Sequence, residues 1–258
     1  MSEPIERIVV FDLDETLGCF AELGMFWDAL TNSSCMHKKA HFFEVMDLFP
    51  EFLRPRILTI LKTILDRKRE GNCQKIMIYT NNQGPKIWSQ MIADYFEYKL
   101  GEKVFDNIIG AFKVNNNIVE VCRTSHNKNI GDLLKCTKLV SGTRVCFFDD
   151  QYHPLMKDES VYYVNVKSFC CSMPFRRMAE RYSKRNITND KRETFNKEII
   201  SYMKQYNYNV VEKTPAEYDV DVVVSKQIMI HIDKFFKKTS SRKTKRTVSK
   251  SLTRTRKR

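Results

Sequence analysis

The sequence predicts an α/β fold, a three-layer Rossmann-like arrangement around a parallel sheet with a small inserted flap. Three short apolar runs, at residues 8–11, 76–79 and 145–148, have the length and composition of strands buried on both faces. Apolar residues recur at helical spacing over residues 53–70 and 85–98, on either side of the second run. Alternation of helices with buried strands is typical of βαβ units, which build parallel sheets.

The remaining elements are predicted from shorter patterns. Residues 18–50 contain glycines, aromatic residues and a polar patch, which favour a loop or hairpin followed by an irregular insertion. We expect residues 19–50 to form a flap or cap. The other predicted elements are a strand at 108–110, a turn at 115–117, a short helix at 130–134, an edge strand at 161–164, helices over 175–206 with a break near 186–189, a strand at 220–224 and a closing helix at 225–236.

The positive charge is concentrated at one end of the chain. The 258 residues carry a net charge of +13. Residues 237–258 contain eleven Lys and Arg and no acidic residue, whereas the first 236 residues hold 33 basic and 31 acidic ones. We therefore expect one domain at residues 1–236 and a disordered basic tail at 237–258. Such a tail suits a nuclear import signal, a nucleic-acid or anionic-surface anchor, a docking arm for an acidic phosphoprotein or simple solubilisation.

The eight cysteines show no Cys-x-x-Cys spacing, and several lie in apolar runs. We expect reduced thiols that pack as small hydrophobic side chains, including the adjacent Cys170 and Cys171. With no signal peptide, the chain is expected to be an intracellular monomer. No apolar run approaches the roughly 20 residues that span a bilayer. Cys35, His37 and His41 have helical metal-ligand spacing but lack a fourth ligand nearby, so no zinc site is expected.

Two carboxylates, Asp12 and Asp14, directly follow the first predicted strand. In an extended backbone, residues two apart point to the same side, so both can converge on one point. Converging carboxylates repel each other unless a cation or a proton lies between them. A calcium loop of the EF-hand type is excluded, because its glycine and glutamate positions are occupied by Leu17 and Leu23.

The other two buried strands also end in functional groups. Thr80 follows the second strand, and Asp149 and Asp150 follow the third. In open parallel sheets, ligands bind outside the carboxyl ends of the strands. We therefore expect these side chains to share one crevice with Asp12 and Asp14.

This order of motifs resembles that of the haloacid-dehalogenase-like (HAD) phosphatases, which carry an Asp pair, a Ser or Thr, a Lys and an acidic pair. The stretch Asp12-Leu13-Asp14-Glu15-Thr16-Leu17 is similar to the branch that dephosphorylates the carboxy-terminal domain of RNA polymerase II and other proteins. The resemblance covers about residues 5–206. It is extended by Arg54-Pro55, Tyr79-Thr80, Arg123 and Lys128-Asn129, and the chain departs from it at Gly18-Cys19, Asn81-Asn82 and Gln151.

The resemblance implies a HAD fold and hydrolysis of phosphomonoesters through an aspartyl-phosphate, with Mg²⁺ as cofactor. In that scheme Asp12 attacks phosphorus, and Asp14 protonates the leaving group and then activates water. Mg²⁺ prefers oxygen ligands. The implied metal ligands are Asp12, Asp14 through its backbone carbonyl, Asp149 and Asp150, and the implied phosphate-binding residues are Thr80, Asn81 and Lys128, with Lys113 and Lys138 open as alternatives for the lysine.

Three functions remain open from the sequence. The resemblance implies a phosphoprotein substrate carrying phosphoserine or phosphothreonine. A polynucleotide or nucleotide phosphatase is the alternative if the 19–50 flap is basic and aromatic in space. A third hypothesis is an inactive HAD scaffold that binds nucleic acid through its basic tail, although the intact Asp12, Asp14, Thr80 and Asp149 argue against it.

Overall fold

Five parallel strands form the centre of the computed structural model, which describes residues 5–35, 40–140 and 142–237. The seven strands found among these described residues are, in chain order, β1 (Arg7–Phe11), β2 (Lys75–Tyr79), β3 (Asn107–Ile109), β4 (Lys113–Val114), β5 (Asn117–Ile118), β6 (Arg144–Asp149) and β7 (Val161–Asn165). The central sheet has the order β3-β2-β1-β6-β7, and β4 and β5 form a separate antiparallel hairpin. The parallel sheet and the edge position of β7 are confirmed.

Eight helices flank the sheet in the described part of the chain. They are α1 (Ala21–Thr31), α2 (Phe42–Leu48), α3 (Ile57–Arg69), α4 (Lys86–Leu100), α5 (Ile130–Thr137), α6 (Phe175–Asn186), α7 (Arg192–Lys204) and α8 (Pro215–Phe236). The predicted break near 186–189 is confirmed, since it separates α6 from α7. Asn115 and Asn116 adopt positive φ angles and make the predicted turn between β4 and β5.

Alternate residues of each strand point to opposite sides of the sheet. On one side, called the major face, Val9 and Phe11 belong to a cluster of 46 buried apolar residues. This cluster contains residues from all the described helices except α5. On the other side, called the minor face, Ile8 and Val10 belong to a cluster of nine. The minor face is covered by α5 and by the 3₁₀ turn Pro154–Met156.

The prediction of a loop or hairpin and an irregular insertion at residues 18–50 is wrong over most of its length, which forms α1 and α2. Both helices bury apolar side chains in the major-face cluster. The helix α1 was not predicted because it contains Gly24, and glycine is a poor helix former. A β-carbon at Gly24 would meet the Trp88 ring at 3.4 Å, an ordinary van der Waals distance, so the packing does not require glycine there. Whether this segment caps a ligand stays a prediction.

The strand predicted at residues 220–224 is wrong, because these residues lie within α8. The β-branched run Val222-Val223-Val224 favoured a strand on propensity alone. Thr214 and Glu217 form a capping box and Pro215 occupies the first helical turn, so a strong helix start lies upstream. The predicted closing helix at 225–236 is confirmed, and it forms the C-terminal part of the longer helix α8.

The cysteines divide into two groups. Cys122 and Cys136 form a disulfide, so the expectation of reduced thiols is wrong for this pair. Cys19, Cys73 and Cys146 are free and buried, as expected for small hydrophobic side chains. Cys170 is exposed, so the expected core packing is also wrong there.

Two predictions concern parts of the chain with little or no description. The basic tail falls on residues 238–258, apart from Lys237, and these lie outside the described residues. His37, in the weak metal-ligand pattern, is likewise outside them. Across residues 5–35, 40–140 and 142–237, none of the helices has the length and apolar character needed to cross a membrane.

Candidate active site

The candidate site lies where the strand order changes direction. The chain leaves β1 to build β2 and β3 on one side, and β6 and β7 on the other. Such a switch point opens a crevice at the carboxyl ends of the strands. Asp12 follows β1 and Asp149 ends β6, and the backbone N–H of Asp12 still donates to Phe148 O at 2.9 Å. The sheet therefore holds these two carboxylates side by side.

The predicted site residues line one small cavity of about 160 Å³. The structure brings Lys128 to this cavity, and neither Lys113 nor Lys138 lines it. Sequence reasoning missed the contribution of His153, which lies four residues beyond Asp149. The lining residues are Asp12, Asp14, Glu15, Thr80, Asn81, Asn82, Lys128, Asp149, Asp150, Gln151 and His153.

Lys128 is the central cation of the cavity and is only 2% exposed. Its Nζ atom donates to Asp12 Oδ1 at 2.5 Å and to Asp149 Oδ2 at 2.6 Å. Burial lowers the pKa of the lysine, but the two carboxylates outweigh that effect and raise the pKa above its ordinary value. Lys128 is therefore a fixed ammonium between two acids.

The carboxyl groups in the cavity experience different environments. Burial raises the pKa of Asp12 to about 7, with Lys128 opposing and Asp149 reinforcing the shift. Burial also acts on Asp149, but hydrogen bonds from His153 and Lys128 and the lysine charge lower its pKa overall. The pKa of Asp150 is raised, mainly by burial. Asp149 is thus the acid most firmly held as a carboxylate.

Asp14 differs from the other acids in its contacts. Its Oδ2 atom accepts a 2.6 Å hydrogen bond from Asn82 Nδ2. Burial raises the pKa of Asp14, and the Asn82 bond opposes the shift. Asn82 was noted in the sequence only as a departure from the family pattern, and its contact with Asp14 arises from the fold.

The loop after β1 is held in place by Arg54, which lies in the segment before α3. Arg54 is buried and donates to Thr16 O at 2.5 Å, to Glu15 O at 2.6 Å and to Lys167 O at 2.9 Å. Glu15 adopts a φ of 59°, a conformation that a non-glycine residue rarely takes. The buried guanidinium donates hydrogen bonds to the carbonyls that this tight turn leaves unpaired. Arg54 therefore has a structural role in the loop.

A second buried arginine holds the segment after β2. Arg123 donates to the Thr80 and Gly110 carbonyls at 3.1 and 2.7 Å, and to Asn81 Oδ1 at 2.9 Å. Its guanidinium lies 4.8 Å from the centre of the Tyr79 ring. Arg123 therefore fixes Thr80 and Asn81 at the edge of the cavity without lining it.

The acid cluster has the chemistry of a divalent cation site. Among the described residues, Asp12, Asp149 and Asp150 each offer a carboxylate oxygen within 4.8 Å of the others. The side chain of Asp14 is outside this group. One ammonium, that of Lys128, faces four aspartates in the cavity lining, so negative groups are in excess. Hard oxygen donors of this kind suit Mg²⁺, and the residues present therefore fit the ion.

Comparison with known proteins identifies no relative. No family model matches the chain, and no curated protein or solved structure matches it. The site therefore has to be interpreted from its own geometry. Membership of the HAD phosphatases stays a prediction from the motifs.

Proposed function

We propose that the protein is a Mg²⁺-dependent phosphomonoester hydrolase of the HAD type that works through an aspartyl-phosphate. One observation carries the proposal: the buried carboxylates of Asp12 and Asp149 bind the ammonium of Lys128, and the half-buried Asp150 offers a third carboxylate oxygen within 4.8 Å of theirs. A phosphate dianion repels an anionic nucleophile, so the reaction needs concentrated positive charge next to the attacking carboxylate. The cavity supplies one fixed cation and the ligands for a second.

In this proposal Asp12 attacks phosphorus. A nucleophilic carboxylate has to be ionised and close to the phosphoryl group. Lys128 favours the ionised form of Asp12, and a bound divalent cation would favour it further. The bond from phosphorus to the substrate oxygen breaks as the bond to Asp12 forms, and water then hydrolyses the acyl phosphate.

Asp14 is the proposed general acid and base. An alkoxide leaving group needs a proton, and the raised pKa of Asp14 favours the protonated carboxyl that can donate it. Asn82 holds the carboxyl in one orientation through the 2.6 Å hydrogen bond. After the leaving group departs, the resulting carboxylate accepts a proton from the attacking water.

The remaining polar groups would bind the phosphate. Thr80 and Asn81 lie at the cavity edge, and Lys128 neutralises charge on the transferring group. When bound, Mg²⁺ would supply charge neutralisation and orient the phosphate, with Asp12, Asp149, Asp150 and the Asp14 carbonyl as its proposed ligands. His153 and Gln151 support this arrangement by hydrogen-bonding to Asp149.

The motifs favour a phosphoprotein as substrate, carrying phosphoserine or phosphothreonine, because they resemble the branch that acts on the RNA polymerase II tail. A polynucleotide or nucleotide phosphatase is the competing enzyme class. An inactive scaffold has no use for two buried aspartates bound to a buried lysine, since burying these charges is unfavourable.

The test is turnover of p-nitrophenyl phosphate with Mg²⁺ and after chelation. We expect activity that requires the metal and falls by at least about 10³-fold in Asp12→Asn, because nucleophile and metal ligand are lost together. Residual activity of the variant within about tenfold of wild type would exclude Asp12 as nucleophile. No turnover by the wild type with Mg²⁺ would favour the inactive scaffold.

A further inference from the structure

A second, larger cavity lies next to the candidate active site. Its volume is about 660 Å³, within the range of pockets that enclose organic ligands. It is formed by the start of α4, by β3 and by the β4–β5 hairpin with the residues that follow it. Much of its lining is apolar, with Ile87, Ile108, Ala111, Val114 and Val119 as the main hydrophobic side chains.

Asn82 is shared by this cavity and the acid cavity. Its Nδ2 atom donates to Asp14 Oδ2, and its Oδ1 atom accepts from Gly84 N at 2.8 Å. One amide therefore joins the proposed general acid to the wall of the larger cavity. The leaving group of a phosphoester has to lie beside the general acid, so the rest of the substrate departs on the Asn82 side.

The rim of the larger cavity exposes apolar side chains. Ile87 and Val119 line the cavity and are 65% and 44% exposed. Apolar side chains grouped at the mouth of a cavity are typical of binding surfaces rather than of free protein surface. Ile87 belongs to the first turn of α4 and Val119 directly follows β5, so both elements contribute apolar side chains to the cavity.

The charge of the lining distinguishes between possible occupants. Among the described lining side chains, the charged ones are Asp106 and Glu120, and none is Lys or Arg. Asp106 is already paired with Lys68 at 2.7 Å. A polynucleotide backbone needs cations along its path, so this lining disfavours nucleic acid. An uncharged apolar group meets no such penalty here.

We propose that this cavity binds an apolar side chain that flanks the phosphorylated serine or threonine in a peptide substrate. The inference rests on the proposed function and adds the sequence preference of the substrate. The phosphate enters the acid cavity, the serine or threonine oxygen lies at Asp14, and a neighbouring Leu, Ile or Phe side chain extends past Asn82. The volume is sufficient for one or two large side chains.

The test uses phosphoserine peptides in a Gly/Ser background. A Leu is placed at each of the three positions before and after the phosphoserine, and kcat/KM is compared with that of the all-Gly/Ser peptide. We expect one position to raise kcat/KM by about 10- to 100-fold, as expected from burying one large apolar side chain. Acetyl phosphate, which carries no group large enough to reach the cavity, reports the chemistry alone.

The variant Val119→Asp places a charge in the cavity wall, and Val223→Asp is the matched control because Val223 is an exposed valine on α8, remote in the fold. We expect Val119→Asp to remove the leucine preference and to leave acetyl phosphate turnover unchanged. Val223→Asp should leave both unchanged. A leucine preference that survives Val119→Asp, or no preference at any position, would overturn the cavity assignment.

The outcomes separate the two proposals. Wild-type turnover of acetyl phosphate without any leucine preference retains the phosphatase and rejects the peptide pocket. Faster turnover of 5′- or 3′-phosphorylated oligonucleotides than of every peptide also rejects it. If the wild type hydrolyses no phosphate compound with Mg²⁺ present, the proposed function fails and the peptide assignment fails with it.

Discussion

The two faces of the central sheet are stabilised by different means. The major face packs seven of the described helices into a cluster of 46 buried apolar residues. The minor face has nine such residues under α5 and a 3₁₀ turn. There the disulfide Cys122–Cys136 ties the segment after β5 to α5, and buried cations lie over the Tyr79 ring.

This difference matters because the cationic side chains of the site come from the minor face. Arg123 follows the disulfide-bonded Cys122, and Lys128 directly precedes the N-cap of α5. The carboxylates, in contrast, follow β1 and β6 in the middle of the sheet. We infer that the major face provides most of the global stability, whereas covalent and ionic contacts on the minor face hold Arg123 and Lys128 in place.

The largest expected effect is that of Lys128→Met. The change leaves Asp12 and Asp149 buried without their cation, so the free energy of unfolding should fall by about 3–5 kcal/mol in the presence of chelator. Turnover should fall by about 10²–10³-fold, because a charge-stabilising group is lost. Denaturant unfolding and p-nitrophenyl phosphate kinetics measure the two effects.

Lys138→Met serves as the control for that substitution, since Lys138 is an exposed residue at the C-terminus of α5. It should change stability by no more than about 0.5 kcal/mol. Equal effects of the two substitutions would show that the buried ion pairs do not support the site.

The disulfide gives the next largest effect. Closing a loop of about 15 residues stabilises a protein by about 3 kcal/mol in the chain-entropy treatment, so Cys122→Ser should lower the free energy of unfolding by about that amount. A thiol reductant should have the same effect on the wild type. Hydrogen exchange should accelerate in α5 and residues 119–128 and remain slow in α3.

Cys170→Ser is the matched control for the disulfide, because Cys170 is a free and exposed cysteine. It should change neither stability nor exchange. Faster exchange in α3 after reduction would mean that the disulfide supports the whole domain, and the division between the two faces would have to be abandoned.

The smallest effect is a pH dependence that arises on the major face. Glu22 is fully buried at the start of α1, and burial raises its pKa to about 7, against hydrogen bonds from Ser172 and Met173. Because the folded-state pKa exceeds the unfolded value near 4.5, the folded protein binds the proton more tightly. The contribution of Glu22 to stability is therefore fully present below about pH 4.5 and is lost as pH rises through about 7.

Glu22→Gln keeps the side chain neutral at every pH. We expect its unfolding free energy, relative to wild type, to rise by about 2.5 kcal/mol between pH 5 and pH 8. Glu44→Gln, an exposed glutamate on α2, is the control and should show no such change. A flat difference between Glu22→Gln and wild type would indicate that the buried carboxyl is not protonated in the folded protein.

The buried strands and most of the candidate site residues could be predicted from the sequence. The buried strands are short, uninterrupted apolar runs, and Asp12, Thr80 and Asp149 each stand at the end of one. Their positions at the strand ends could therefore be predicted from local sequence, and their convergence from the geometry of a parallel sheet. Lys128 was assigned by motif order, and the fold brings it between two of these acids.

Other features depend on contacts that are distant in sequence. The contact of Asn82 with Asp14 spans 68 positions, and the Cys122–Cys136 pairing follows no recognisable spacing motif. The helix α1 was missed because it contains Gly24, a poor helix former, and the helix is stabilised by side chains that it buries in the major-face cluster. These three features depend on tertiary packing, which the propensities of single residues do not describe.

The most direct test of the central claim is to trap the phosphorylated enzyme. Wild-type protein is mixed with Mg²⁺ and excess p-nitrophenyl phosphate, quenched in acid within the first turnovers, and analysed by peptide mass spectrometry. We expect one added phosphoryl group on the peptide containing Asp12, removed by hydroxylamine and absent from Asp12→Asn. Rapid turnover with no modification of Asp12, or with the phosphoryl group on another residue, would contradict it.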